Sequence, residues 1–237
     1  MANINLGKCD SDQQHKHLMN QQNIDNIDQS QKDEAPIEHF ITAGEPGDAI
    51  VAQFIRQGDR FRHQINLVSS QSEFVIADSV EHSGSDITSP PLQQIVTETH
   101  GDSKVVLAVG QADKNHWSGS FGTTAENRLL VEFACRVNQP VSGLGSIYQV
   151  HPDCQVTESD SQKFSLKIGE QTITFLAGNG TGNSSGSILT WDAANRTLTI
   201  LPDPTPSVAA ESTAELPVTV TWNYCIEKSA GDRGQSM

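Results

Sequence analysis

The sequence is short of positive charge. Its 237 residues carry 15 Lys and Arg against 29 Asp and Glu, a formal net charge of -14. A binder of nucleic acid or of an anionic membrane needs a basic face to displace counterions from phosphates, so neither partner is expected. Apolar runs approaching the roughly 20 residues that span a bilayer are missing too. The opening "MANINLGKCDSDQQHKHLMNQQ" has no basic start followed by an apolar run, and no small-residue cleavage site. These absences predict a cytoplasmic protein. Cys9, Cys135, Cys154 and Cys225 lie far apart without C-x-x-C spacing. That argues against a zinc ribbon, a thioredoxin-like centre and a dense disulfide framework, and leaves reduced thiols. Beyond the first 35 residues there is no H-x-H or H-E-x-x-H, and the glycine-rich "AGNGTGNSSG" lacks the G-K-[ST] ending of a phosphate loop. No metal and no cofactor are expected.

Up to about Ala35 the chain is polar, about a third Asn or Gln, with scattered charge. Such a composition buries too little apolar surface to offset the entropy of folding, so residues 1–35 read as a disordered tail. His15 and His17 sit in it as a weak H-K-H metal pattern, and Leu18, Met19, Ile24 and Ile27 would allow one amphipathic turn on a partner. Deleting everything before Pro36 is therefore expected to leave the melting midpoint unchanged. A loss of several degrees in a thermal scan would show that the tail packs.

After Pro36 the texture changes to short runs of Val, Ile, Thr and Phe, broken every eight to twelve or so residues by Gly, Pro, Asn, Asp and Ser. In "DRFRHQINLV", Phe61, His63, Ile65 and Leu67 fall on one face, against Arg60, Arg62, Gln64 and Asn66. "RLLVEFACRV" and "PVTVTWNYCI" alternate as cleanly, the period-2 pattern of strands with one face covered and one wet. Gly169-Glu170 suits a two-residue type II′ hairpin. Helical periodicity long enough for crossover helices is absent, so parallel βαβ architecture is not expected. The expected fold is all-β, an antiparallel sandwich of a dozen or more strands over residues 36–227, with residues 228–237 as a fraying tail. An alternative division near residues 156–187 would make a second, smaller β unit, although the final strand should pair back into the main body.

"KNHWSGSFG" raises the question of a site. In an unbroken strand Trp117, Gly119 and Phe121 face the core, and His116, Ser118 and Ser120 face outward. His116 and Ser118 have the atoms of a base and a nucleophile, but no G-x-S-x-G elbow or partner carboxylate is marked out. Sugar binding is the more natural use of His116, or of Trp117 if that ring is exposed. Arg60 and Arg62, with Gln64 and Asn66, form a basic stripe in an acidic protein. The stripe is suited either to a cross-strand salt bridge, with Glu73 or Asp78 as partner, or to a carboxylate or acidic sugar. The ligand-binding candidates are thus His116, Trp117, Arg60, Arg62 and Asn66. His63, on the apolar face, is expected to be a buried, hydrogen-bonded residue. The expected architecture and the missing catalytic motifs point to a binding or scaffolding module, with carbohydrate or protein as ligand. The rivals are a carbohydrate-active hydrolase, lyase or epimerase using His with a carboxylate, and a structural assembly subunit.

Overall fold

A computed structural model describes residues 39–80, 89–101, 103–178, 186–203 and 216–229. The polar tail with His15 and His17, and most of the glycine-rich stretch after Ala177, lie outside them. Fifteen strands are present among the described residues and no helix. They are β1 (His39–Glu45), β2 (Asp48–Gln57), β3 (Arg60–Ser69), β4 (Glu73–Ser79), β5 (Gln94–His100), β6 (Ser103–Ala112), β7 (Asn115–Thr123), β8 (Leu129–Val137), β9 (Ser146–Val150), β10 (Gln155–Ser159), β11 (Lys163–Ile168), β12 (Gln171–Ala177), β13 (Gly186–Asp192), β14 (Thr197–Asp203) and β15 (Val218–Ser229). No helix of these residues is long and apolar enough to cross a membrane.

The strands form a β-sandwich of two antiparallel sheets. One has the order β1-β2-β3-β4-β9-β14-β13, the other β10-β11-β12-β15-β8-β7-β6-β5. The alternation read from the sequence sets which faces meet. Leu129, Val131, Phe133, Cys135 and Val137 of β8 are all buried, while Glu132 and Arg136 between them are exposed. Val220, Trp222, Tyr224 and Ile226 of β15 face the same core. Aromatic rings interlock across the interior: Phe54 of β2 meets Phe121 of β7 edge-on at 4.7 Å, and Phe164 of β11 meets Trp191 of β13 at 4.9 Å. Edge-on aromatic pairs of this kind add about 0.5–1.5 kcal/mol to the area they bury.

The residues after Val156 complete both sheets, so no separate smaller β unit forms. β11 and β12 join the eight-stranded sheet, β13 and β14 the seven-stranded one, and β15 lies between β12 and β8. β15 runs to Ser229, two residues past the expected boundary, because Lys228 and Ser229 continue the ladder opposite Ile173 and Thr172 of β12, and Lys228 also forms an ion pair with Asp48. Gly169 turns β11 into β12 with φ +57 and Ile168 opposite Gln171, as the two-residue hairpin requires. The thiols of Cys135, Cys154 and Cys225 are unpaired, and burial raises each, Cys135 to about 12, so they stay protonated.

Candidate functional site

The arginine stripe lies where the seven-stranded sheet comes apart. β3 pairs with β4 only from Gln64, opposite Asp78, to Val68, with a register shift at Ile76. On its other edge β4 pairs with β9 from Ala77 to Ser79, so at Ser79 the pairing with Tyr148 continues after the pairing with β3 has stopped. The first residues of β3 therefore lose their neighbour on that side. Phe61 takes a substitute, its N–H bonding Leu92 O at 2.7 Å, and the His63 N–H bonds Ser79 Oγ at 2.8 Å. Between the splayed ends opens a cleft of about 570 Å³ lined by Gln57, Asp59, Arg60, Arg62, Asp78, Ser79 and Val80.

Arg60 and Arg62, two apart on one strand, project to the same side and are both half-buried. Arg62 Nη1 donates to Asp78 Oδ1 at 2.9 Å, the cross-strand salt bridge expected from the sequence. Arg60 Nε lies 3.9 Å from the carboxylate of Asp59. Two guanidiniums and two carboxylates thus share the lining with the amide of Gln57 and the hydroxyl of Ser79. Among the described residues the lining is therefore a pattern of donors and acceptors with opposite charges side by side.

A narrow recess leads inward from the cleft. It shares Arg62, Ser79 and Val80 with it and is closed by Phe61, His63, Ser89, Pro90, Ser146 and Ile147, with a volume of about 20 Å³. At its floor begins a buried chain of polar groups that joins the two sheets. His63 Nε2 is 2.6 Å from Tyr148 Oη, and Tyr148 Oη is 2.6 Å from Tyr224 Oη. Tyr224 is bonded in turn to Ser146, whose Oγ accepts the Trp222 indole N–H at 3.0 Å. The indole can only donate. A head-to-tail chain from Trp222 then ends with Tyr148 donating to a neutral His63, which uses each hydroxyl once as donor and once as acceptor. Burial lowers the imidazole to about 3, consistent with that neutral form. It pushes Tyr148 well above the ordinary phenol value, helped by Tyr224, and raises Tyr224 too.

The remaining sequence candidates do not join this cleft. Trp117 is 2% exposed and belongs to the core, so its ring offers no stacking platform. Asn66 was expected on the open face of β3, yet it is 2% exposed. Gln53 of β2 and Glu73 of β4 close over it, accepting from Asn66 Nδ2 at 3.1 and 2.6 Å. His116 is exposed on the outer face of the eight-stranded sheet, opposite Arg136. Beside it a shallow trough of about 320 Å³ is floored by Ser118, Ser120, Ala134 and Thr221, and Ser120 donates to Glu132 at 3.2 Å. Gly119 makes this face thin: a Cβ there would lie 2.6 Å from Cε1 of Phe133, whose ring packs across the strand. Among the described residues no group of three His, Cys, Asp or Glu could hold a metal. Sequence reasoning missed Ser79, Ser89 and Ser146, which carry no local signal and meet only through the departure of β4 from β3. No protein-family model matches this chain, and neither does any of the curated proteins against which it was compared.

Proposed function

We propose that the protein is a β-sandwich binding module whose ligand is a carbohydrate, held in the cleft between the ends of β3 and β4. The observation that carries this reading is the lining itself: Arg60, Arg62, Asp59, Asp78, Gln57 and Ser79 around 570 Å³, with opposite charges in equal number among the described residues. A neutral ligand rich in hydroxyls both donates and accepts, and planar guanidinium, carboxylate and amide groups meet it in pairs of hydrogen bonds. A phosphate would find its two arginines opposed by two carboxylates. Guanidiniums also hold their protons at any ordinary pH, so they position a ligand and do not shuttle protons.

A protein ligand is the second reading, and it rests on a different face. Val96 of β5 pairs with Leu107 of β6, and these two with Val109 are 54%, 37% and 45% exposed on the outside of the eight-stranded sheet. Contiguous exposed apolar side chains of this kind mark contact surfaces.

The test is a thermal-shift and calorimetric screen of the full chain against mono- and oligosaccharides, repeated with Asp78→Asn, Arg60→Ala and His116→Ala. A ligand at 100 times its Kd adds about 2.7 kcal/mol to stability, roughly 5–10 °C here. Either cleft substitution is expected to weaken binding by tenfold or more. Because half-exposed ion pairs are screened by solvent and worth about 1 kcal/mol, both should move the melting point of the unliganded protein by no more than roughly 4 °C. His116→Ala should leave affinity untouched. If a sugar's effect survives the cleft variants and vanishes with His116→Ala, the site lies on the outer face. A blank screen would reject carbohydrate and favour the protein reading.

A further inference from the structure

The cleft carries one more feature, at the recess on its inner side. Three serines and a histidine converge on about 20 Å³, room for a single water-sized group. Two of the serines are engaged: Ser79 Oγ accepts the His63 N–H, and Ser146 Oγ accepts the Trp222 indole. Ser89 is different. Its Oγ is closed off from solvent and bonds to no protein group. A desolvated hydroxyl without a partner costs folding free energy, and replacing it with a methyl group should recover that cost. Ser89 lies just before Pro90-Pro91, where the chain is fixed by the Phe61 to Leu92 bond and by Gln93 N–H to Val109 O at 2.8 Å. Its backbone is therefore anchored next to two bonds that span β3 and β6.

We propose that this recess is the subsite that fixes the ligand's identity: it admits one hydroxyl of the saccharide in the cleft, and Ser89 is the group that receives it. The assignment rests on the carbohydrate reading of the cleft. The recess is too small for a carboxylate, an acetamido group or a ring. A charged ammonium would lie against Arg62 and the neutral imidazole of His63, with no carboxylate among the recess's lining residues. A hydroxyl fits the volume and can both donate to and accept from Ser89 Oγ. A sugar lacking that hydroxyl leaves Ser89 unpartnered in the complex as well. A site built around such a bond rejects the deoxy analogue far more strongly than an apolar pocket rejects a missing methylene.

The inference makes the two effects of one substitution opposite in sign. Ser89→Ala is expected to raise the melting point of the unliganded full chain by about 2–6 °C, since it removes a buried polar group that bonds to nothing. The same substitution is expected to weaken the preferred sugar by tenfold or more. The probes are glucose, galactose, mannose and N-acetylglucosamine with their monodeoxy derivatives, titrated calorimetrically into the parent protein, Ser89→Ala and Asp78→Asn. One deoxy position should bind the parent and Ser89→Ala alike, which identifies the hydroxyl that enters the recess. A fall in melting point for Ser89→Ala, or unchanged affinity for every sugar, overturns the assignment. If Asp78→Asn still weakens binding in that case, the cleft stands and only the recess is lost. If no sugar binds the parent protein, the reading of the cleft and the inference fall together.

Discussion

Gly110→Ala is expected to cost at least about 3 kcal/mol and to lower the melting point by roughly 10 °C, among the largest effects of any single methyl group in the molecule. A Cβ at Gly110 would stand 1.6 Å from Pro91 O and 2.6 Å from its carbonyl carbon. The obstacle is backbone, not the end of a flexible side chain. Relief would require moving Pro91 by well over an ångström, and the chain is held on both sides of the two sheets. Phe61 N–H bonds Leu92 O at 2.7 Å and Gln93 N–H bonds Val109 O at 2.8 Å. Two substitutions set the scale. At Gly122 the nearest atom to a new Cβ is 3.8 Å away, so alanine should be nearly neutral. At Gly169 space is open but φ is +57, so alanine should cost about 1 kcal/mol through the backbone alone. Urea unfolding of the three variants gives the comparison, and a Gly110→Ala protein within 1 kcal/mol of the parent would contradict the close approach. Because Ser89 and Pro90 wall the inner recess, the displacement should also reach the ligand.

Most of the fold was legible because its strands are wet on one side. β8 and β15 announce themselves by alternation, and the burial of Phe133, Cys135, Trp222 and Tyr224 follows from it. β10 was not legible. Gln155–Ser159 is an edge strand with four of its five residues exposed, so no periodic apolar signal exists to be read. The acidic groups in and beside it are occupied by the hairpin itself. In the fold Glu158 pairs with Lys163 at 2.7 Å, and Asp160 Oδ1 accepts two backbone N–H groups of the turn at Gln162 and Lys163.

The site was legible only in part. Alternation placed Arg60 and Arg62 outward and supplied Asp78 as partner, and it placed Trp117 inward. It failed at Asn66, where a register shift in β4 sets Val75 opposite and brings Glu73 over the amide. Bulges are tertiary adjustments with no fixed residue signature. The recess was invisible for the same reason, since Ser79, Ser89 and Ser146 come from β4, the β4–β5 connection and β9. What β pattern reveals is which way a side chain points, whereas what covers it depends on how neighbouring strands are paired.

Acid should weaken this fold through His63, and the sign follows from its burial. The imidazole sits among Phe54, Phe121, Phe133 and Tyr148, with ring centroids 5.0–6.5 Å away, and is lowered from 6.5 to about 3. Below pH 6.5 the unfolded chain takes up a proton that the folded one refuses. Stability is therefore flat in this group above about pH 6.5 and falls by about 1.4 kcal/mol per pH unit down to about pH 3. At pH 4.5 the loss from His63 alone approaches about 3 kcal/mol, a large share of a typical margin of 5–15 kcal/mol. Carboxylates add their own slope, so the measurement is a difference: urea unfolding of the parent and of His63→Gln at pH 7.5, 6.5, 5.5 and 4.5. Glutamine keeps an acceptor for Tyr148 but cannot titrate. The variant should be the less stable at pH 7.5, because it packs poorly among the rings, and the gap should narrow by about 2–3 kcal/mol by pH 4.5. Parallel curves would mean that His63 takes up its proton as readily in the fold as in the unfolded chain, which would contradict its burial as a neutral acceptor of the Tyr148 hydroxyl. A saccharide that binds the folded state with the same affinity at each pH should lift the parent's whole curve without changing its slope, and should lift it less when Ser89 is alanine.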